Sequence, residues 1–101
     1  SGGINIYPVD LEDALTAHPA VREAAVIGAP SRDWGETPVG FVTLRPGAQA
    51  DGESLRAFAN ATLGKMQRLS AVRIVDELPR SAIGKILKRE LQDRLARDTT
   101  M

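Results

Sequence analysis

The sequence predicts an α+β domain in which a short sheet of short strands is covered by helices. Three observations predict it. Segments rich in Val, Ile and Ala alternate with segments whose apolar residues recur at helical spacing. Pro and Gly punctuate the joins between them. The chain has 101 residues, enough for one domain with a modest core. The predicted order is β-α-β-β-α-β-α, a small sandwich of sheet and helices.

Ser1 to Tyr7 reads as a glycine-rich entry followed by a short extended piece. Pro8 suits the first turn of a helix that runs to about Ala17, with Val9, Leu11, Ala14 and Leu15 on its apolar side and Glu12 and Asp13 on its wet one. Pro19 forces His18 out of helical geometry and ends it. Val21 to Gly28 reads as a buried strand, and Ala29-Pro30-Ser31-Arg32-Asp33 as a turn. A second strand from Glu36 or Thr37 to Leu44 is apolar on both faces and therefore central; Arg45-Pro46-Gly47 closes it. Asp51 caps a helix from Gly52 to about Leu63, whose stripe is Leu55, Phe58, Ala59, Thr62 and Leu63. Lys65 to Ser70 is a basic connector, and Ala71 to Val75 a third strand. Leu87, Leu91 and Leu95 recur every four residues, so a last helix is expected from about Lys85 or Ile86 to Arg97, with residues 98–101 as a frayed tail.

Composition narrows the function classes. Hydrophobic residues make up 43% and charged residues 26%, an ordinary globular balance. Lys+Arg and Asp+Glu are both 13, so no global field attracts nucleic acid or an anionic membrane, and recognition is local. Aromatic residues are too sparse, at 4%, to interleave a nucleic-acid surface. The absence of cysteine excludes a disulfide framework and a thiol nucleophile, argues against a zinc site, and fits a reducing compartment; the expected location is the cytoplasm. No apolar run approaches a membrane span and no signal peptide is visible. The opening Ser1-Gly2-Gly3, without methionine, predicts a piece of a larger protein.

The segment Pro79-Arg80-Ser81-Ala82-Ile83-Gly84-Lys85 is the most informative. If a helix begins near Lys85, a cation sits at the positive end of its dipole, where it costs a few tenths of a kcal/mol. Such a lysine is either solvated or waits for an anion, and a loop with free amides beside Gly84 suits a phosphate or carboxylate. Other candidates are weaker. His18, the only histidine, closes a helix and has no serine, cysteine or second histidine to form a triad or metal set. Trp34, in a polar loop, either folds back on the core or offers a flat face to an aromatic ligand or a partner. Gly2 and Gly3 are either a turn or a place where a ligand passes close to the backbone. Lys65, Arg68, Arg73, Arg80, Lys85, Lys88 and Arg89 make the second half richer in basic residues; such a run is usually a solvated face.

Four stretches carry a family resemblance across Ser1 to about Leu95. Ser1 to Glu12 resembles an SGGxNIYPxEVE motif, and His18 to Gly28 an HPxVxEAAVVG strand. Arg32-Asp33-Trp34-Gly35-Glu36 resembles the loop that follows, and Pro79 to Lys85 a final PRxxxGK motif. In this order and at this spacing they resemble the C-terminal domain of the adenylate-forming superfamily, which includes acyl- and aryl-CoA synthetases, firefly luciferase and the adenylation domains of nonribosomal peptide synthetases.

The resemblance implies a mobile lid, residues 1–101, of an AMP-forming acyl-CoA ligase. Such enzymes couple a carboxylic acid to ATP as an acyl-adenylate, release pyrophosphate, and then form a thioester with CoA as co-substrate. A large N-terminal domain, the expected partner of this one, mainly binds ATP, Mg²⁺ and the acid. The resemblance gives Lys85 the adenylation role with Gly84 beside the phosphates, Gly2 and Gly3 the lining of a pantetheine tunnel, Trp34 a stack on the CoA adenine, and Arg68 positive charge for the CoA phosphates. The connector departs from the family's aromatic-Lys-x-Pro pattern: it reads Met66-Gln67-Arg68-Leu69. Two alternatives therefore stand beside a CoA ligase: delivery to the phosphopantetheine of a carrier protein, and a binding module without catalysis. These 101 residues alone are expected to activate nothing.

Overall fold

A computed structural model describes residues 8–31, 35–64 and 68–99 of the protein. Within them the order is α1 (Pro8–Thr16), β1 (Val21–Ser31), β2 (Gly35–Leu44), α2 (Gly52–Thr62), β3 (Ala71–Ile74) and α3 (Lys88–Thr99). The architecture is α+β, as the sequence predicts. The extended piece expected over Ser1 to Tyr7 lies outside the described residues.

The sheet order is β1-β2-β3, so β2 is central, as its two apolar faces require. β1 and β2 pair antiparallel; β2 and β3 pair parallel, and α2 supplies the crossover that a parallel pair needs. The turn expected over Ala29-Pro30-Ser31-Arg32-Asp33 does not begin at Ala29, and its Arg32 and Asp33 lie outside the described residues. Ala29 pairs with Thr37, Pro30 with Glu36 and Ser31 with Gly35, so the strand continues. Proline misled because β1 is an edge strand, where a missing N–H breaks no inner ladder.

The two sheet faces hold separate cores. On one, Leu11 and Leu15 of α1 and Leu55 and Ala59 of α2 pack with Val21, Val26, Val42, Leu69 and Val72. On the other, Leu91 and Leu95 of α3 and Leu78 pack with Ala25, Ile27, Ala29, Val39 and Phe41. Fully burying each large aliphatic side chain contributes about 1.5–3 kcal/mol. Gly52 lets α2 approach β3: a Cβ there would lie 2.1 Å from the Val72 carbonyl oxygen.

Alternation along β1 would place Val21 on the same face as Ala25 and Ile27. It lies on the opposite one. The register shifts between Val21 and Glu23, and the extra residue, Arg22, reverses the parity. Glu23 keeps the parity of Ala25 and Ile27 and so belongs to the α3 face.

Helix details also differ from expectation. Val9, expected on the apolar side of α1, is 65% exposed. Glu12, placed on the wet side, is mostly covered: its Oε2 accepts from the Val26 amide at 2.8 Å and pairs with Lys88 Nζ at 2.8 Å. In α2, Phe58 and Thr62 are exposed, and the buried face includes Asn60 instead. Asp51 does cap α2, accepting from the Ser54 amide at 2.7 Å. α3 reaches Thr99, past the expected onset of fraying.

Candidate functional site: the hairpin bearing Lys85

The helix expected from Lys85 begins three residues later, at Lys88. Lys85 instead closes a hairpin in which Arg80 and Ile86 form an antiparallel bridge. The Ser81 amide donates to the Lys85 carbonyl at 2.8 Å, the Gly84 amide to the Ser81 carbonyl at 2.9 Å, and the Leu87 amide to the Pro79 carbonyl at 2.9 Å. The Lys85 amide donates to Ser81 Oγ at 3.3 Å. These bonds engage the amides of Ser81, Gly84, Lys85 and Leu87, and Lys85 lies three residues before α3 rather than at its positive end. The group that Lys85 offers a ligand is its side chain.

Gly84 has φ +88°, which glycine adopts without strain. A three-residue loop, Ala82-Ile83-Gly84, with glycine in the left-handed position is a favoured way to close a hairpin. The spacing between Ser81 and Lys85 is therefore a property of the turn.

The Lys85 side chain is exposed, and among the described residues its ammonium has no ion-pair partner. Its neighbours in basic charge are committed. Arg80 Nη1 donates to the Gly84 carbonyl at 2.8 Å, and Nη2 donates to Glu23 Oε2 in an ion pair. Lys88 is held by Glu12. An unpaired ammonium thus stands between two paired cations on a hydrogen-bonded loop. A shallow groove of about 750 Å³ runs from Lys85 past Lys88 to Asp93. Ile83, two residues before Lys85, is 89% exposed.

Of the other predicted binding residues, Arg68 is described and separates from this hairpin. Arg68 is exposed on the connector between α2 and β3. Its neighbour Leu69 packs in the α1/α2 core, whereas Leu78, just before the hairpin, and Ile86, within it, pack on the α3 face. Leu69 is pinned by buried Asn60, whose Nδ2 donates to the Leu69 carbonyl at 3.0 Å and whose Oδ1 accepts from the Leu69 amide at 2.8 Å. Gly2, Gly3 and Trp34 lie outside the described residues. His18 is structural: its Nδ1 accepts from the Ala20 amide at 3.0 Å, and its ring meets Phe58 edge-on, centroids 4.7 Å apart. Sequence reasoning missed Glu23, Glu12 and Asn60. The signal for Glu23 was a carboxylate in a strand that is otherwise apolar from Ala24 to Pro30.

A family model described as the AMP-binding enzyme C-terminal domain matches residues 10–85. The chain is 46% identical over 92 residues to a 2-succinylbenzoate–CoA ligase of Geobacillus kaustophilus, covering 91% of this chain and 19% of that protein. It is 40% identical over 97 residues to the fatty acid–[acyl-carrier-protein] ligase ScoC of Streptomyces coeruleorubidus, covering 96% of this chain and 19% of that one. Among solved structures, ATP-bound MatB from Rhodopseudomonas palustris superposes with a TM-score of 0.86 at 35% identity, covering 92% of this chain and 18% of that one. The chain thus spans about a fifth of the length of these relatives. It belongs to the family of AMP-binding enzyme C-terminal domains found in acyl- and aryl-CoA ligases.

Proposed function

We propose that the domain serves an acid–thiol ligase by carrying the lysine that assists acyl-adenylate formation. The observation that carries the reading is Lys85: an exposed ammonium without an ionic partner among the described residues, on a loop fixed by hydrogen bonds. In the proposed step a carboxylate oxygen attacks the α-phosphorus of ATP. The new oxygen–phosphorus bond forms as the bond to pyrophosphate breaks. Two anions approach, and charge grows on the phosphoryl oxygens. An ammonium reaching both groups offsets that repulsion where it is largest. The body that binds ATP and acid is assigned to the rest of the ligase, consistent with the share of its relatives that the chain covers.

The second half-reaction is assigned to a different set of residues. CoA sulfur attacks the acyl carbon and AMP leaves. Arg68, on the connector, is proposed to meet CoA phosphates, and Gly2, Gly3 and Trp34 are proposed for the pantetheine and adenine. The packing of Leu69 and Ile86 on opposite faces of the sheet supports two presentations of one domain. Transfer to carrier-protein phosphopantetheine is the second reading, favoured by the 40% identity to ScoC.

The test is Lys85→Ala in the complete ligase. Acid-dependent pyrophosphate exchange falls about 10²–10³-fold, by analogy with other single electrostatic donors, while supplied acyl-adenylate is still converted to thioester. Equal loss of both steps contradicts the assignment. Rates with free CoA against holo-carrier protein separate the two acceptors.

A further inference from the structure

We propose that Arg80, held by Glu23, is a positioning residue for Lys85. The proposal rests on the assignment of Lys85 to adenylation and adds the device that aims it. The hairpin's backbone bonds all lie between Pro79 and Leu87, so they fix its shape but not its direction. Direction needs ties to the body. Leu78 and Ile86 supply apolar ones. Arg80 supplies a polar one, at the base of the loop, to a residue 57 positions earlier in the chain.

The guanidinium spans two acceptors. One is the carbonyl of Gly84, the residue before Lys85, at 2.8 Å; the other is the Glu23 carboxylate. It therefore couples the tip of the loop directly to β1. The bulge at Arg22 is part of the device, because it leaves Val21 in the α1/α2 core while Glu23 stays on the hairpin side. Just past the hairpin, Lys88 at the start of α3 makes a second tie, to Glu12 of α1. Arg80 and Glu23 are 39% and 32% exposed, so their pair adds little to global stability. Its effect is on the geometry of Lys85. Lysine cannot replace the fork, since a point donor does not bridge two acceptors in fixed directions.

The experiment uses the complete ligase with Arg80→Ala, Arg80→Lys, Glu23→Gln, Lys85→Ala and the Arg80→Ala/Lys85→Ala double variant. It measures acid-dependent pyrophosphate exchange, thioester formation from supplied acyl-adenylate, and thermal unfolding. Misplacement of a catalytic group on the order of 1 Å costs about 10²-fold. Arg80→Ala is expected to lower the exchange kcat roughly 10–100-fold, with the KM for ATP, the thioester rate and the unfolding midpoint near wild type. Arg80→Lys and Glu23→Gln fall in between. In the Lys85→Ala background, Arg80→Ala has no further effect. Wild-type exchange in Arg80→Ala, or in both milder variants, overturns the positioning role while Lys85→Ala stays impaired. So does a full additional loss in the double variant. Wild-type exchange in Lys85→Ala overturns the lysine assignment itself, a separately readable failure.

Discussion

Gly84→Ala isolates the contribution of the loop's shape. Gly84 has φ +88°, and a Cβ built there meets nothing within 4 Å. The substitution therefore adds backbone strain and no clash. Left-handed backbone costs an L-residue about 1–2 kcal/mol. At tenfold per 1.4 kcal/mol, the strained loop is about 5–30-fold less favoured relative to a relaxed one. If only the native loop delivers the Lys85 ammonium, adenylation falls by up to that factor. Gly47→Ala is the matched control. Its φ is +78° and its Cβ also meets open space, but it lies in the turn closed by the Ala48 amide and the Arg45 carbonyl, after β2. Both variants lose comparable stability, no more than roughly 4–16 °C in the unfolding midpoint of a domain this size. Only Gly84→Ala slows pyrophosphate exchange, and it spares thioester formation. Equal exchange rates in the two variants would refute the reasoning, because the penalty would then have no connection to Lys85.

Asn60→Ala removes both bonds to the Leu69 backbone and leaves a buried amide and carbonyl unpaired; each orphan costs about 1–3 kcal/mol, which thermal unfolding and amide exchange at Leu69 measure. Thr43→Val replaces a buried hydroxyl with no hydrogen-bond partner among the described residues, and is expected to raise the unfolding midpoint by a few degrees. Glu53 is held below the usual carboxylate range, chiefly by the hydrogen bond from Arg56. Because its folded pKa is lowered, the stabilisation is present above about pH 4.3 and is lost as pH falls through the folded value. The difference between wild type and Glu53→Gln in urea unfolding therefore shrinks as the solution is acidified below the usual glutamate range.

The strands and helices were legible where one face is buried against a neighbour. Val39, Phe41 and Val42 announced a central strand, and Leu11 with Leu15 a docked helix. Errors arose where a residue's meaning depends on distant chain. Pro30 reads as a turn unless β1 is known to be an edge. Glu12 reads as solvated until Val26 and Lys88 are placed beside it. The start of α3 is masked in the sequence because Leu87 keeps the spacing of Leu91 and Leu95 although its amide belongs to the hairpin. For the site, the sequence marked Lys85 but not its support. A β-bulge has no local signature in Val21-Arg22-Glu23, and a salt bridge across 57 residues has none at all.

The chain has three lysines, Lys65, Lys85 and Lys88, which makes one measurement unusually direct. The complete ligase would be treated with an ATP analogue bearing an aldehyde on its phosphate chain, reduced, and mapped by peptide mass. An amine that reaches the phosphates forms the imine and is fixed. The account predicts label on Lys85, suppressed by ATP and the acid together. Label on Lys65 or Lys88 with Lys85 untouched would contradict it.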